Sequence, residues 1–250
     1  MLKISIITVV RNEVHTIRDC IESVLGQTYP VEYIIIDGGS TDGTLDIIKE
    51  YEANIARFIS GPDEGIYDAM NKGIGLATGD VVGILNADDF YIDCHVLSKI
   101  VDEFRTKSVD SVFADLVYVN PENLNKIVRF YSAADFNLNK FSYGCMPPHP
   151  TFFVKRKIYE KYGGVKTDYK IAADFELLTR FMVKQRISYS YLPEVIVKMR
   201  TGGISTRNFK SNWILNKEIV RACAANGIKT NFLKVYSKYF TKFLQLLKRP

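Results

Sequence analysis

Three short apolar runs, each ending in acidic or polar residues, constrain the fold of this chain more than any other feature. They are ISIITVV at 4–10, VEYIIID at 31–37 and VVGIL at 81–85. Runs of this length, rich in β-branched residues, are typical of strands buried on both faces of a parallel sheet. Segments with apolar residues at helical spacing separate them, so the alternation predicts a doubly wound α/β fold.

The second half of the chain has a less regular pattern. It favours antiparallel strands around a turn at Pro121, a helix over 170–185 and a further strand from Ile187. We expect a mixed, mainly parallel sheet flanked by helices in one domain over residues 1–206. A helical extension over residues 207–250 follows it.

Composition and charge exclude several classes of function. The net charge of +5 is not gathered in a basic stripe with interleaved aromatic residues, so nucleic acid is not an expected partner. Four cysteines without CxxC spacing favour reduced thiols in a cytoplasmic protein over a zinc site or a disulfide framework. The N-terminal apolar run ends in Arg11 and Glu13, which favours a buried strand over a signal peptide.

Polar residues follow each of the three apolar runs. Arg11 and Glu13 come after the first run, Asp37 ends the second, and Asp88 and Asp89 come after the third. Open α/β sheets bind ligands beyond the carboxyl ends of their strands. The sequence therefore predicts that these side chains line one ligand crevice.

Asp88 and Asp89 can serve two different ligands, because successive strand residues point to opposite sides. One carboxylate can accept hydrogen bonds from ribose hydroxyls. The other can bind Mg²⁺ or Mn²⁺, which take one or two protein carboxylates and complete their shells with phosphate oxygens and water. The alternative is an Asx-type turn at the end of a strand, and the neighbouring polar clusters favour the ligand site.

Asp37 has two interpretations. Its carboxylate can accept the N3–H of uracil or the donors of guanine, whereas Gly38, Gly39 and Ser40 suit a bend and a helix cap. Neither a GxGxxG motif after the first strand nor a Walker A lysine is present, so nicotinamide and flavin cofactors are not expected.

Five motifs occur in a fixed order: SIITVVRNE, YIIIDGGSTDGT, DEGIYDAMNKGIGLATGD, GILNADD and IAADFELLTR. Together they resemble a family 2 glycosyltransferase of the GT-A fold, and they span most of the chain. The resemblance implies a nucleotide-sugar donor such as a UDP-sugar, Mn²⁺ or Mg²⁺ as cofactor, and inversion at the anomeric carbon. It also implies a glycan or lipid-linked glycan acceptor in the synthesis of bacterial surface polysaccharides.

The resemblance assigns roles to particular residues. They are Thr8, Val10 and Glu13 for the nucleotide-base pocket, Asp37 for the acid that reads the base, Asp68 and Lys72 for the nucleotide and diphosphate side, Asp88 for the ribose or the metal, and Asp89 for the metal. Many members of the family carry Asp where this chain has Asn86. An amide is a poorer metal ligand than a carboxylate, so we assign Asn86 no metal role.

Asp174 resembles the general base of the family. Residues three and four apart share a helix face, so Asp174 lies with Leu177 and Leu178 on the apolar side, whereas Glu176 points away. An acidic residue on an inward face is unusual unless it faces a cavity. The alternative is a helix N-cap.

Three further features stay open. His149 can contact the acceptor or a phosphate, or be structural. The segment RTGGIST at 200–206 can be a loop that closes over the donor, with Arg200 or Arg207 near phosphate, or a plain turn at Gly202 and Gly203. The C-terminal segment from Ile228 predicts an amphipathic helix whose lysines lie off the apolar face. That face can contact a membrane, a second subunit or the domain itself.

Two other classes of protein share the predicted architecture. A sugar-phosphate nucleotidyltransferase would need a glycine-rich loop after the first strand, and TVVRNEV lacks those glycines. A non-catalytic nucleotide-sugar or glycan-binding protein would tolerate the loss of Asp89 or Asp174, and both are present. Processive members carry a Q/RxxRW signature; here Asn212 precedes Trp213, which favours the addition of a single sugar.

Overall fold

The computed structural model describes residues 2–202 and 209–247, with side chains described up to 202 and from 211 to 239. The strands are β1 Ile4–Val10, β2 Val31–Asp37, β3 Arg57–Ser60, β4 Val81–Ile84, β5 Asp89–Tyr91, β6 Ser111–Asn120, β7 Asn123–Tyr131, β8 Phe153–Lys155 and β9 Tyr189–Arg200. The helices are α1 Ile17–Leu25, α2 Thr44–Glu50, α3 Ile66–Leu76, α4 Val96–Lys107, α5 Arg156–Tyr162, α6 Ala173–Thr179, α7 Phe209–Ala225 and α8 Phe232–Leu247.

In the described part of the chain, nine strands form one sheet in the order β3-β2-β1-β4-β8-β6-β9-β5, with β7 paired to β6. Strands β1 to β4 pair in parallel, whereas β8 runs antiparallel to β4 and β6. The mixed α/β sheet flanked by helices is therefore confirmed, and so is the antiparallel pair around Pro121, which is β6 with β7.

The register of the parallel strands brings their carboxyl ends to one edge. Val10 pairs with Asp37, and Asp37 pairs with Ser60. The Leu85 amide donates to the Ile7 carbonyl over 2.9 Å. Residues 86–89, which we call the NADD loop, therefore leave β4 beside the end of β1. The three predicted polar clusters consequently share this edge, which we call the strand-end rim.

Helices cover the sheet on both faces. Helices α1 and α4 pack on one face around Ile6, Ile35 and Val112, and α3 and α6 pack on the other around Ile7, Ile36 and Phe113. Helix α3 approaches the sheet closely because it has no side chain at Gly73, where a Cβ would lie 2.3 Å from Ile7 Cγ2. The loop before α3 is tied to the end of β2, because the Gly61 amide donates to the Asp37 carbonyl over 3.0 Å, so α3 starts near the strand-end rim.

Helices α7 and α8 pack against the sheet and its loops. Ile219 and Cys223 of α7 and Val235 of α8 belong to the same core as β1 and α6. Lys238 is 3% exposed, so the expectation that the lysines of α8 lie off the packed face is wrong at this position. The inward side of α8 contains positions 235, 238 and 239, which follow the helical spacing. The expected domain boundary, at 206/207, lies outside the described residues, as do Gly203 and Arg207.

Glu218 of α7 holds the loop that leads into α6. Its carboxylate accepts hydrogen bonds from the amides of Lys170, Ile171 and Ala172 over 2.7, 2.9 and 3.0 Å. Glu218 is 9% exposed. A helix outside the first 206 residues thus fixes the entry to the helix that carries Asp174.

Replacement of Glu218 by Ala is expected to lower the free energy of unfolding by about 3 kcal/mol, because it leaves one buried and two partly buried amides without an acceptor. Chemical denaturation measures this change. Glu194→Ala is the matched control. It removes an exposed pair with Lys99, and exposed pairs contribute less than about 1 kcal/mol. Equal losses in the two variants would contradict the role given to Glu218.

Candidate active site at the strand-end rim

Asp37 organises the turn after β2. It is 1% exposed, and its Oδ2 accepts hydrogen bonds from the amides of Gly39 and Ser40 and from the Ser60 hydroxyl over 3.0, 3.1 and 2.7 Å. Gly39 has φ +79°, a conformation that glycine adopts without strain. The turn interpretation thus accounts for most of the contacts of Asp37. Its Oδ1 accepts a single hydrogen bond from the described residues, from the Ser40 amide over 3.3 Å.

Thr8 and Val10 lie in the core beneath the rim. Thr8 has no exposed surface, and its hydroxyl accepts a hydrogen bond from the Tyr33 hydroxyl over 3.1 Å. Val10 is 5% exposed and packs with the α1 face of the sheet. Neither side chain leaves appreciable surface for a ligand, so we assign both to the support of the rim rather than to direct contact with a base.

Glu13 is partly buried beside the NADD loop. The Thr16 hydroxyl donates to its Oε2 over 3.0 Å. Burial raises the pKa of the Glu13 carboxyl, the hydrogen bond from Thr16 opposes that shift, and the nearby charge of Asp88 adds to it. Glu13 and Asp88 therefore contribute negative charge to the same part of the rim.

Asp68 and Lys72 form an ion pair in the first two turns of α3, with Lys72 Nζ 2.9 Å from Asp68 Oδ2. Lys72 also donates to the Pro62 carbonyl over 3.3 Å. The hydrogen bond from Lys72 lowers the pKa of the Asp68 carboxyl. The pair sits at the end of the loop that follows β3, on the side of the rim formed by β2 and β3.

The NADD loop contains buried oxygen atoms that accept no hydrogen bond from the described residues. They are both carboxylate oxygens of Asp89, which is completely buried, and the Oδ1 of Asn86. Burial, followed by the charge of Asp88, raises the pKa of the Asp89 carboxyl well above its ordinary value. Such oxygens are costly without a partner, which points to a ligand that the protein itself does not supply.

Asp88 and Asp89 fit a divalent cation of the oxygen-preferring kind. Asp88 is partly exposed and Asp89 offers two unsatisfied oxygens beneath it. Within residues 2–202 and 211–239 no group of three or more His, Cys, Asp or Glu side chains is placed to hold a metal. Mg²⁺ and Mn²⁺ are compatible with this pair because they commonly take only one or two protein carboxylates.

Arg200, the last residue of β9, supports the backbone of the NADD loop. Its Nη1 donates to the Asp88 carbonyl over 2.7 Å, and its Nη2 pairs with Asp19. The guanidinium lies 4.8 Å from the centre of the Phe90 ring, and Arg200 is 7% exposed. Two of its donors are thus engaged by the protein and the side chain is nearly buried, so the structure favours a supporting role over the phosphate contact that the sequence left open.

Asp174 lies in the first turn of α6, beyond the N-cap residue Ala172, so it is not the cap. The Phe175 amide donates to Asp174 Oδ1 over 2.7 Å, and His149 Nδ1 lies 3.4 Å from Oδ2. The side chain is 24% exposed. Burial raises the pKa of the Asp174 carboxyl, and His149 acts against that shift.

His149 joins Asp174 to the NADD loop. Its Nε2 lies 3.4 Å from the Asn86 side-chain nitrogen, and it shares a pocket with Asp174, Met70 and Ile84. Tyr67 of α3 is also close, since burial and then the charge of Asp174 raise the pKa of its hydroxyl. Asp174, which the sequence predicts as the base, and the NADD loop, which it predicts as the metal site, are therefore separated only by the His149 side chain.

Sequence reasoning misplaced Glu176 and missed several supporting residues. Glu176 is completely buried between α6 and α7, where it pairs with Arg180 over 3.2 Å and accepts from Asn226 over 3.3 Å. Asp19 and Glu218 gave no signal in the sequence, because each acts on a segment far away along the chain.

Comparisons with known proteins identify the family of this chain. The model of Glycosyl transferase family 2 matches residues 5–163. An uncharacterized glycosyltransferase of Mycobacterium tuberculosis is 33% identical over 180 residues, which cover 71% of this chain and 68% of that protein. A PGL/p-HBAD biosynthesis glycosyltransferase of Mycobacterium bovis is 27% identical over 223 residues, covering 87% of this chain and 82% of its own.

Two solved structures share the fold. Staphylococcus aureus TarS 1-349 in complex with UDP-GlcNAc aligns with a TM-score of 0.71 at 16% identity, over 91% of this chain and 68% of that one. A mannosyltransferase of Pyrobaculum calidifontis in complex with GDP-Man and Mn²⁺ aligns with a TM-score of 0.66 at 20% identity, over 90% and 64%. With the sheet order, the rim and the ordered motifs all in agreement, this chain belongs to glycosyltransferase family 2 and has the GT-A fold.

Proposed function

We propose that the protein is a metal-dependent, inverting glycosyltransferase that moves one sugar from a nucleotide-sugar, a UDP-sugar by preference, to a glycan acceptor. One observation carries the proposal: His149 contacts both Asp174 and Asn86, so the base and the NADD loop face one common space. Family membership supports sugar transfer, and a UDP-sugar is bound by TarS of the same fold.

Asp174 is the general base in this proposal. Its carboxylate takes the proton of the acceptor hydroxyl while that oxygen forms a bond to the anomeric carbon. The bond from this carbon to the diphosphate breaks on the opposite face, and the nucleoside diphosphate leaves with the electron pair. A base works best when its pKa lies near the working pH, and burial moves the pKa of Asp174 in that direction.

The rest of the rim binds and orients the donor. Asp88 and Asp89 would hold the cation, which when bound offsets the charge of the departing diphosphate. Asp37 and Glu13 flank the base and ribose side, and Asp68 with Lys72 flanks the nucleotide and diphosphate side. This surface is supported by the buried side chains of Thr8, Val10 and Arg200.

Asp174→Asn is expected to reduce kcat by at least about a hundredfold, because a positioned base contributes that much or more, and to leave donor binding unchanged. The measurement is release of the nucleoside diphosphate in the presence of acceptor. Asp168→Asn is the control, since Asp168 precedes the same helix and is exposed. Transfer that survives in Asp174→Asn would contradict the base assignment and favour a binding protein of the same fold.

Thermal-shift measurements with UDP-, GDP- and dTDP-sugars, each with and without Mn²⁺, test the donor site. A ligand that binds the folded state raises the melting temperature by mass action, and we expect the largest rise with a UDP-sugar and Mn²⁺ together. Asp88→Asn and Asp89→Asn should remove the part of the rise that needs Mn²⁺, whereas Asp93→Asn, at an exposed position nearby, should keep it. If the rise in melting temperature is the same with and without Mn²⁺ in all variants, the cation site is ruled out.

The acceptor is proposed to be carried by a lipid at the cytoplasmic face of a membrane. Phe232, Leu233 and Tyr236 on α8 are 45%, 84% and 45% exposed, and Lys229 and Lys234 are exposed beside them. Apolar side chains flanked by lysines suit an anionic bilayer surface. Within the described residues no helix has the length and apolar character to cross a bilayer.

Sedimentation with vesicles that contain phosphatidylglycerol is expected to carry the protein down at low salt. Leu233→Asp should weaken this binding at least about fivefold, since it removes the most exposed apolar side chain and adds a negative charge. The control is Thr106→Asp, which adds the same charge at an exposed position of α4, away from the α8 surface. If the two variants bind vesicles equally, or if the protein forms a dimer through α8, the exposed face of α8 does not contact a membrane and the proposal is wrong.

A further inference from the structure

His149 stands on a rigid part of the backbone. It begins a short 3₁₀ turn, His149–Thr151, with a proline on either side. The Thr151 hydroxyl donates to the Ala114 carbonyl over 2.8 Å and accepts from the Ala114 amide over 3.2 Å, and Thr151 is completely buried. The turn is therefore fastened to β6 at the core, and the imidazole is held in one place.

The two nitrogens of His149 face different partners. Nδ1 lies 3.4 Å from Asp174 Oδ2, and Nε2 lies 3.4 Å from Asn86 Nδ2. In this orientation of the Asn86 amide, its nitrogen donates to Nε2, so a ring that has a single proton carries it on Nδ1. Nδ1 is the ring nitrogen within ion-pair distance of the Asp174 carboxylate.

We propose that His149 is a positioning residue for the base: Asn86 fixes the imidazole in the tautomer that donates from Nδ1 to Asp174. This rests on the proposed function. It extends that function with a second residue, on a different loop, that orients the reacting carboxylate. It also gives Asn86 a role that a carboxylate at the same place could not have, because a carboxylate accepts a proton from Nε2 instead of donating one.

The arrangement leaves the base able to act. Asp174 Oδ1 accepts from the Phe175 amide and Oδ2 faces His149, and each carboxylate oxygen can accept more than one hydrogen bond. A neutral donor fixes the direction of the carboxylate and favours its ionised form without adding a full charge. The acceptor hydroxyl can then donate its proton to the side of the carboxylate that is exposed.

Nuclear magnetic resonance of the ¹⁵N-histidine-labelled protein tests the tautomer without any substrate. The chain has three histidines, and His149→Asn identifies the signals of His149. At about pH 8.5, above the ordinary histidine pKa, we expect a neutral ring with the proton on Nδ1. Asp174→Asn should move the Nδ1 signal and leave His15 and His95 unchanged. A proton on Nε2, or on both nitrogens, would overturn the proposal.

Two substitutions at His149 separate positioning from mere packing. The amide nitrogen of Asn takes the place of Nδ1, whereas that of Gln takes the place of Nε2. Under the conditions used for Asp174→Asn, we expect His149→Asn to keep kcat within about tenfold and His149→Gln to lose about a hundredfold. The KM for the donor and the melting temperature should be similar in both.

The outcomes distinguish the two levels of inference. If Asp174→Asn keeps its transfer activity, the proposed function has failed at the base. If Asp174→Asn is inactive and His149→Gln is as active as His149→Asn, the base assignment stands and the positioning role of His149 is wrong.

Discussion

The parallel pairing of β1 between β2 and β4 is the constraint on which the rest of the structure depends. It aligns the ends of the strands, so that residues separated by tens of positions in sequence meet at one edge of the sheet. Because β1 is buried on both faces, a shift in its pairing would turn its apolar side chains towards the wrong layer. The positions of the carboxylates at the strand ends, those of Asp37, Asp88 and Asp89, follow from this register.

The site contains polar groups that the protein leaves unsatisfied, and this is the opposite of what stability alone would favour. Asp89 and Asn86 have buried oxygens with no partner among the described residues, and Asp174 is a partly buried acid in an apolar pocket. Buried groups of this kind each cost about 1–3 kcal/mol. Sites that bind ligands commonly depart from the rules of stable packing in this way. The surrounding core, centred on the isoleucines of β1 and β2, supplies the stability that the rim lacks.

The base side of the site is assembled from distant parts of the chain. Helix α6 carries Asp174, the loop before it is held by Glu218 of α7, and its later turns are held by Arg180, which donates to the carbonyls of Tyr162 and Gly164. The C-terminal helices are thus part of the support of the proposed base, whatever surface α8 presents to a partner. This support lets a short helix hold its carboxylate in a defined position.

The sequence by itself determined the local elements and the chemistry at their ends. Continuous apolar runs rich in β-branched residues indicated β1, β2 and β4, and apolar residues at helical spacing indicated the helices between them. The carboxylates at Asp37, Asp88 and Asp89 fell at the ends of these runs. Only the tertiary structure decided that Thr8 is core, that Glu176 and Lys238 are buried, and that His149 meets Asn86 and Asp174. The spacing of apolar residues tells which side chains share a face, but not what packs against that face. The contacts listed here join residues that are far apart along the chain, so they depend on how the layers of the fold pack together.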